Sequence, residues 1–354
     1  MSLLRYVSLN TKLHAMSRDL ITPAGFQRLT QCPDIPSALT ELLSYRYYKN
    51  AFAGWDISAL HRGDIEQILF LSSMKEFIRL YKFTTGVPRK YLNLVAMYYE
   101  IYLMKRFLRD IVSGRPLSMD LGAYRDFIQQ HRKVDLDGIQ NARTLQELLE
   151  SMKNTPYYRV VHPFLSKGEG DIFQYELALD KYYFDICFAF AKKELKGRET
   201  KTLLTILGTR CDLLNLQWIY RTKKYYPISP ASLYSILLPH YYKLSPEEIK
   251  AMTEAEGLEG FRQIFDTTYY GILNQKLFKS RPTLEEFYAG TMDYMISLTA
   301  RQDPYSIAAL EAYLYFRELE IETIIEIIES IRYSIPPSEI ETTILKYDPR
   351  RSSP

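Results

Sequence analysis

Binding a phosphate chain calls for backbone amides curled around a lysine. The chain offers one string of that kind, Gly197-Arg198-Glu199-Thr200-Lys201-Thr202. It lacks the second glycine and the preceding strand of a phosphate-cradling loop, so it reads as a turn linking two helices. Gly168-Glu169-Gly170 is half of a dinucleotide fingerprint without strand–helix–strand context, and reads as a loop. His14, His61, His131, His162 and His240 stand far apart. None has the spacing that sets two imidazoles on one helix face for a metal. Cys32, Cys187 and Cys211 are too scattered for a disulfide framework or a CxxC knuckle. Cys187 and Cys211 fall in apolar helical stretches, where a thiol is an inert packing group. No carboxylate pair is singled out among 42 acidic residues, and no nucleophile, base and orienter can be assembled. The expectation is a protein with no catalytic residue, no cofactor and no bound metal.

The elements that would carry any site are helices. Of 354 residues, 47% are apolar and 25% charged, the profile of a soluble globular chain. A net charge of +3 without a basic block argues against a nucleic-acid partner. Met1–Leu20 already carries Arg5, Lys12, Arg18 and Asp19, so it is no apolar leader. The longest run free of Asp, Glu, Lys and Arg, Tyr225–Tyr242, is broken by Pro227, Pro230 and Pro239, which excludes a spanning helix. The expected place of work is therefore outside the bilayer. Apolar residues recur at three-and-four spacing, as in Ile65, Leu69, Phe70 and Met74, or Leu314, Ile321, Ile324, Ile325 and Ile328. Thr22-Pro23 and Ser245-Pro246 place a capping hydroxyl before a first-turn proline. Ser245 with Glu248, and Ser338 with Glu341, have the spacing of a capping box. These signals predict an all-α fold.

A fixed period runs through the chain. Tyr47-Tyr48, Tyr157-Tyr158 and Tyr269-Tyr270 follow similar helical stretches, spaced by 110 and 112 residues. Ile65-Glu66, Tyr175-Glu176 and Leu284-Glu285 follow with spacings of 110 and 109. An acid then opens a long apolar helix at Glu100, Asp212 and Glu318, spaced by 112 and 106. Each such helix runs toward a proline, at Pro116, Pro227 and Pro336. Three ordered anchors keeping one period predict three pseudo-repeated helical modules of about 110 residues. Their expected bounds are 1–117, 118–243 and 244–354. Three head-to-tail copies close into a ring if each turns by about a third of a rotation, and otherwise form an open arc.

Thirty tyrosines are about twelve more than ordinary composition supplies. Two readings fit the paired ones: rings filling helix junctions, or contacts for a partner protein. Tyr225, Tyr226, Tyr241 and Tyr242 border the uncharged, proline-broken stretch and are the candidates for the second role. Glu66, Glu176 and Glu285 occur once per repeat, which suits capping or pairing between helices better than catalysis. Charge breaks the symmetry. Glu100–Val112 carries a net +1 and Asp212–Lys224, with Arg221, Lys223 and Lys224, a net +2. Glu318–Ser330 holds five glutamates and no base, a net −5. This is either a solvated helix face or a polarised socket for an asymmetric partner, with Glu318, Glu322 and Glu326 on its acidic wall.

These strings also resemble a known family. Asp212-Leu213-Leu214-Asn215-Leu216 through Ile219-Tyr220-Arg221 is similar to a D-x-x-N-L…I-x-R helix of the C-type subunit of V/A-type ATPases, whose eukaryotic form is designated d. Glu176 to Phe184 resembles its E-x-x-L-D-x-x-Y-F signature, and Asn154-Thr155-Pro156-Tyr157-Tyr158 its T-x-Y element. Arg317-Glu318-Leu319-Glu320-Ile321 through Tyr333 is similar to its C-terminal helix. The resemblance implies a funnel-shaped, all-helical and non-catalytic protein, a monomer within its complex. It implies a peripheral place at the cytoplasmic face of the membrane, with no insertion into it. The implied partners are central-shaft proteins of the D and F types and the membrane rotor ring. The implied role is to seat that shaft on the ring and couple ATP hydrolysis or synthesis to translocation of protons or sodium ions. A helical adaptor or scaffold outside any ATPase is the alternative.

Overall fold

The computed structural model describes residues 2–344 except 115–120, 133, 166–171, 227 and 279–281. The described residues form helices and connecting turns without a strand, and 78% of the structure is helix. That is well above the roughly one-third typical of globular proteins. The first six helices are α1 Ser2–Ser17, α2 Pro23–Thr30, α3 Ile35–Leu42, α4 Arg46–Ala51, α5 Arg62–Phe83 and α6 Gly86–Val112. The next six are α7 Gly122–His131, α8 Leu136–Asn141, α9 Leu145–Ser151, α10 Pro156–Leu165, α11 Ile172–Glu194 and α12 Arg198–Lys224. Then come α13 Pro230–Ile236, α14 Pro246–Glu254, α15 Gly257–Phe265, α16 Tyr269–Leu277, α17 Leu284–Gln302 and α18 Ile307–Arg332, with α19 Pro337–Ile344 last. The order recurs in sixes: short helices, a short helix bearing a tyrosine pair, then two long ones. None of the described helices is long and apolar enough to cross a membrane.

Local chemistry explains the starts. Thr22 accepts the Gly25 amide ahead of Pro23, and Ser245 and Glu248 close a reciprocal capping box at α14. Ser338 and Glu341 depart from the expected box. Ser338 lies within the first turn of α19, and the Glu341 carboxylate accepts from Gln31 Nε2 at 2.6 Å and from Thr30 Oγ1 at 3.3 Å. An acid three residues past a serine is thus used to tie α19 to α2. Gly197 heads α12 with a φ of +58°, a turn between helices with no phosphate-binding loop around it.

The helices gather into two compact units, Leu3–Cys187 with Tyr313–Ile344, and Phe188–Ala312. In the first, the two ends of the chain share one core. Ile21, Leu29, Leu39, Leu42, Tyr48 and Phe52 pack with Ile321, Ile324, Ile327 and Ile328 of α18 and Ile340 of α19. Each such side chain withdrawn from water contributes about 1.5–3 kcal/mol, so the isoleucine face of α18 anchors the N-terminal segment. In the second unit α12 is the central element, packed on α15 and α17, with Phe261 against the Tyr220 ring and Tyr270 on Asp212.

Candidate functional site

Most buried polar groups in a folded protein are paired, and three junctions here show the same pairing. On α6, Glu100 is buried and accepts from the hydroxyl of buried Tyr157 and from Arg132, whose Nε lies 2.5 Å and Nη2 3.0 Å from its two oxygens. On α12, Asp212 is fully buried and accepts the Tyr270 hydroxyl at 3.0 Å. It also takes the backbone amides of Tyr242 at 3.1 Å, Lys243 at 2.7 Å and Leu244 at 3.3 Å. On α18, Glu320 accepts the Tyr48 hydroxyl at 2.5 Å, the Ile21 amide at 2.5 Å and the Arg317 guanidinium. Arg317 also reaches Glu76 of α5 through Nε at 3.0 Å and lies 4.0 Å over the Tyr47 ring.

The pairing is shifted by one repeat. Tyr157 answers the acid of the preceding long helix, Tyr270 answers Asp212 before it, and Tyr48, near the start of the chain, answers Glu320 near its end. The third junction therefore joins the two ends of the chain. The acids are Glu100, Asp212 and Glu320, so Glu320 and not Glu318 stands in register with the other two. The buried tyrosine is the second of its pair at Tyr48 and Tyr270 but the first at Tyr157. Packing fixes the choice. Each pair lies in the first turn of a short helix, α4, α10 or α16, and only the ring turned inward reaches the carboxylate.

Electrostatics differ between the junctions. Burial pushes the Asp212 carboxyl up to about 6, against four donors that favour its charged form. No cation is among them. Burial also raises Glu320, and Arg317 and Tyr48 pull it back. Burial opposes the Arg317 charge, but Glu76 and Glu320 more than offset it and hold the guanidinium above its ordinary value. Burial raises the three tyrosines, and the neighbouring carboxylates reinforce this, so the phenols stay protonated donors.

Asn215, one turn beyond Asp212, completes the α12 site. Its side chain donates to the Leu238 carbonyl at 3.0 Å and accepts the Leu238 amide at 2.8 Å. Together they peg the irregular segment 237–245 to the helix. Gly208 makes room for it: a Cβ there would lie 2.5 Å from the Tyr242 Cβ. Tyr242 also shares a hydrogen bond with Thr205 at 2.9 Å, so it packs the loop, whereas Tyr225, Tyr226 and Tyr241 are exposed. Gly271 is required in the same way at α16, since a Cβ would meet the Phe265 carbonyl at 2.1 Å.

The repeated glutamates hold helices together. Glu176 takes Arg109 with both oxygens, at 2.6 and 2.9 Å, and Glu285 takes Arg221 at 3.3 Å. Glu66 takes Arg62 at 2.7 Å, which also reaches Glu329 at 3.2 Å. Arg109, Arg221 and Glu329 each lie nine residues beyond a junction acid, so the third copy reverses the charge and uses Arg62 as a bridge. The basic trio on α12 is engaged as well. Lys223 donates to the Thr253 and Ala255 carbonyls, at 2.7 and 2.5 Å, and Lys224 lies over the Tyr220 and Tyr225 rings.

The acids of α18 divide into two sets. Glu320 is buried and Glu329 is paired with Arg62 and Arg332. Glu318, Glu322 and Glu326 form a stripe at four-residue spacing that faces water, with Glu318 accepting the Tyr98 hydroxyl at 3.2 Å. Glu322 is open to water, yet the protein mass around it, with Glu318 and Glu326 one turn either side, pushes its carboxyl up to about 7. The stripe lies in the first unit and the basic trio in the second. No cluster of His, Cys, Asp or Glu suited to a metal occurs among the described residues.

The family model described as ATP synthase (C/AC39) subunit matches residues 9–343. The chain is 22% identical over 296 residues to the C-type subunit of the A-type ATP synthase of Methanosphaera stadtmanae, covering 79% of this chain and 74% of that protein. With its counterpart in Thermococcus kodakarensis it is 21% identical over 340 residues, covering 94% and 88%. With that of Desulfurococcus it is 22% identical over 340 residues, with the same coverage.

Proposed function

Because the chain belongs to the ATP synthase (C/AC39) subunit family, we propose that it is the central-stalk subunit of a V/A-type rotary ATPase. In this reading it is non-catalytic. It seats the central shaft on the membrane rotor ring and so couples ATP hydrolysis or synthesis to ion translocation. Its partners are shaft proteins of the D and F types and the ring, and it works as a peripheral subunit on the cytoplasmic face. The match over residues 9–343 carries this reading.

The buried chemistry supports it. A part that transmits torque must not deform between its two partners. In each junction the buried carboxylate takes several donors, most of them from distant parts of the chain, an arrangement that rigidifies the junction. Three modules of about 110 residues arranged as a funnel suit the shifted acid–tyrosine pairing, because every module then depends on its neighbour and the last on the first. The stripe of Glu318, Glu322 and Glu326 is the wall that meets a basic shaft tip. Arg221, Lys223 and Lys224 are already bound to Glu285, to α14 carbonyls and to tyrosine rings, and serve to stiffen α12.

Removal and replacement tests the coupling. Membranes stripped of this protein should retain ATP hydrolysis in the released head and lose ATP-driven ion uptake, and adding back the purified chain should restore uptake. Uptake that persists without the chain overturns the proposal.

A further inference from the structure

The faces of α1, α4 and α5 line a half-open cavity of about 380 Å³ within the first unit. This is within the range of small-ligand sites, about 300–1,000 Å³. Lys12 from α1, Arg46 from α4, and Lys75 and Arg79 from α5 line it, against Asp19 and Glu76. Glu76 is already committed to Arg317 at 3.0 Å. Among the described residues none of the four cations has a hydrogen-bond or ion-pair partner. Four other arginines of the unit, Arg62, Arg109, Arg132 and Arg317, do hold carboxylates. Lys75 and Arg79 stand one helical turn apart, a like-charged spacing that costs a few tenths of a kcal/mol on an isolated helix. Three helices thus converge unbalanced positive charge on one concave space.

We propose that this cavity binds a small phosphate ester, a phosphate group on a hydroxyl-bearing carrier. The two guanidinium groups supply planar donor pairs suited to phosphate oxygens, and the two ammonium groups add point charges. Asp19, just past the end of α1, is the acceptor for a carrier hydroxyl and disfavours a bare polyanion. Such an ester is either a soluble metabolite or the headgroup of an anionic phospholipid. The site does not depend on the role proposed above, since its residues take no part in the acidic stripe or the α12 junction.

Two arms separate the sources. Calorimetry of the full chain with glycerol 3-phosphate reads the soluble ligand, with inorganic pyrophosphate as the bare polyanion. Flotation with phosphatidylglycerol vesicles, against phosphatidylcholine alone, reads the headgroup. Binding in either arm, weakened at least about tenfold in the Lys75→Gln/Arg79→Gln variant, is the expected result. Both side chains are exposed, so the fold should survive, and Arg46→Gln on another helix gives an independent second variant. Binding to glycerol 3-phosphate without vesicle flotation assigns a soluble ester, and flotation without it assigns the headgroup. The inference is overturned if neither arm binds, or if both variants bind as tightly as the natural chain.

Discussion

Replacing Arg317 by methionine isolates the junction that joins the two ends of the chain. The substitution keeps the unbranched stem of the side chain but leaves Glu76 and Glu320, both under a tenth exposed, without their shared counter-charge. Removing one partner of a buried ion pair costs about 3–5 kcal/mol, a large share of the roughly 5–15 kcal/mol that holds a domain together. Glu320 keeps the Tyr48 hydroxyl and the Ile21 amide, so the cost belongs near the lower end. Its sign with pH is fixed. Without the guanidinium, burial leaves the Glu320 carboxyl holding its proton still more tightly when folded than when unfolded, where a glutamate titrates near 4.5. Stability of the variant is then greatest at low pH and is lost as pH rises through the folded value. Urea unfolding should show a cost of about 3 kcal/mol at pH 7.5 and at least about 1 kcal/mol less at pH 5. Hydrogen exchange should accelerate in 21–52 and 313–332 together, since Glu320 links them. A cost below about 1 kcal/mol, or one equal at both pH values, refutes the role given to Arg317.

The other junctions and the stripe give further tests. Tyr48→Phe, Tyr157→Phe and Tyr270→Phe each remove one hydroxyl donated to a buried carboxylate, and urea midpoints should report losses of about 1–3 kcal/mol for each. Asp212 titrates near 3.8 when unfolded and about 6 when folded, so its ionisation lowers stability as pH rises between those values. The cost of Asp212→Asn, followed by urea unfolding, should therefore shrink by about 2 kcal/mol from pH 4 to pH 6 and level off above about pH 7. Glu322 gains its charge as pH rises through about 7, so binding of a basic shaft tip should strengthen from pH 6 to 8 and weaken with salt. Glu318→Gln/Glu322→Gln/Glu326→Gln should fold normally and flatten both dependences. Unchanged titrations would mark the stripe as a merely solvated face.

The helical class, the capping box at Ser245 and the recurrence of tyrosines, glutamates and helix-opening acids were legible because each depends on local spacing. The identity of the third acid was not. Glu318, Glu320 and Glu322 all fit an acid on a helix, and only the inward face of α18, set by Ile321, Ile324 and Ile328, selects Glu320. The pairing of Tyr48 with Glu320 was hidden for a different reason. A period says that copies exist but carries no information on which copy donates to which, and the two residues lie 272 positions apart. Arg132 sits outside the repeated strings, and Arg317, though it heads the C-terminal family string, shows no role there, because its position is fixed by reach to two carboxylates. Similarly, the net charge counted over Asp212–Lys224 overstates the free positive charge, since Arg221, Lys223 and Lys224 each have a partner elsewhere in their unit.

The seating of a shaft is tested most directly by mixing the purified chain with the D- and F-type shaft proteins and weighing the product by native mass spectrometry. The expected result is a single species whose mass equals one copy of this 41.6 kDa chain plus the shaft pair, dissociating as salt is raised. Spectra showing only the free chain beside an intact shaft pair, at low salt and micromolar concentration, would contradict it.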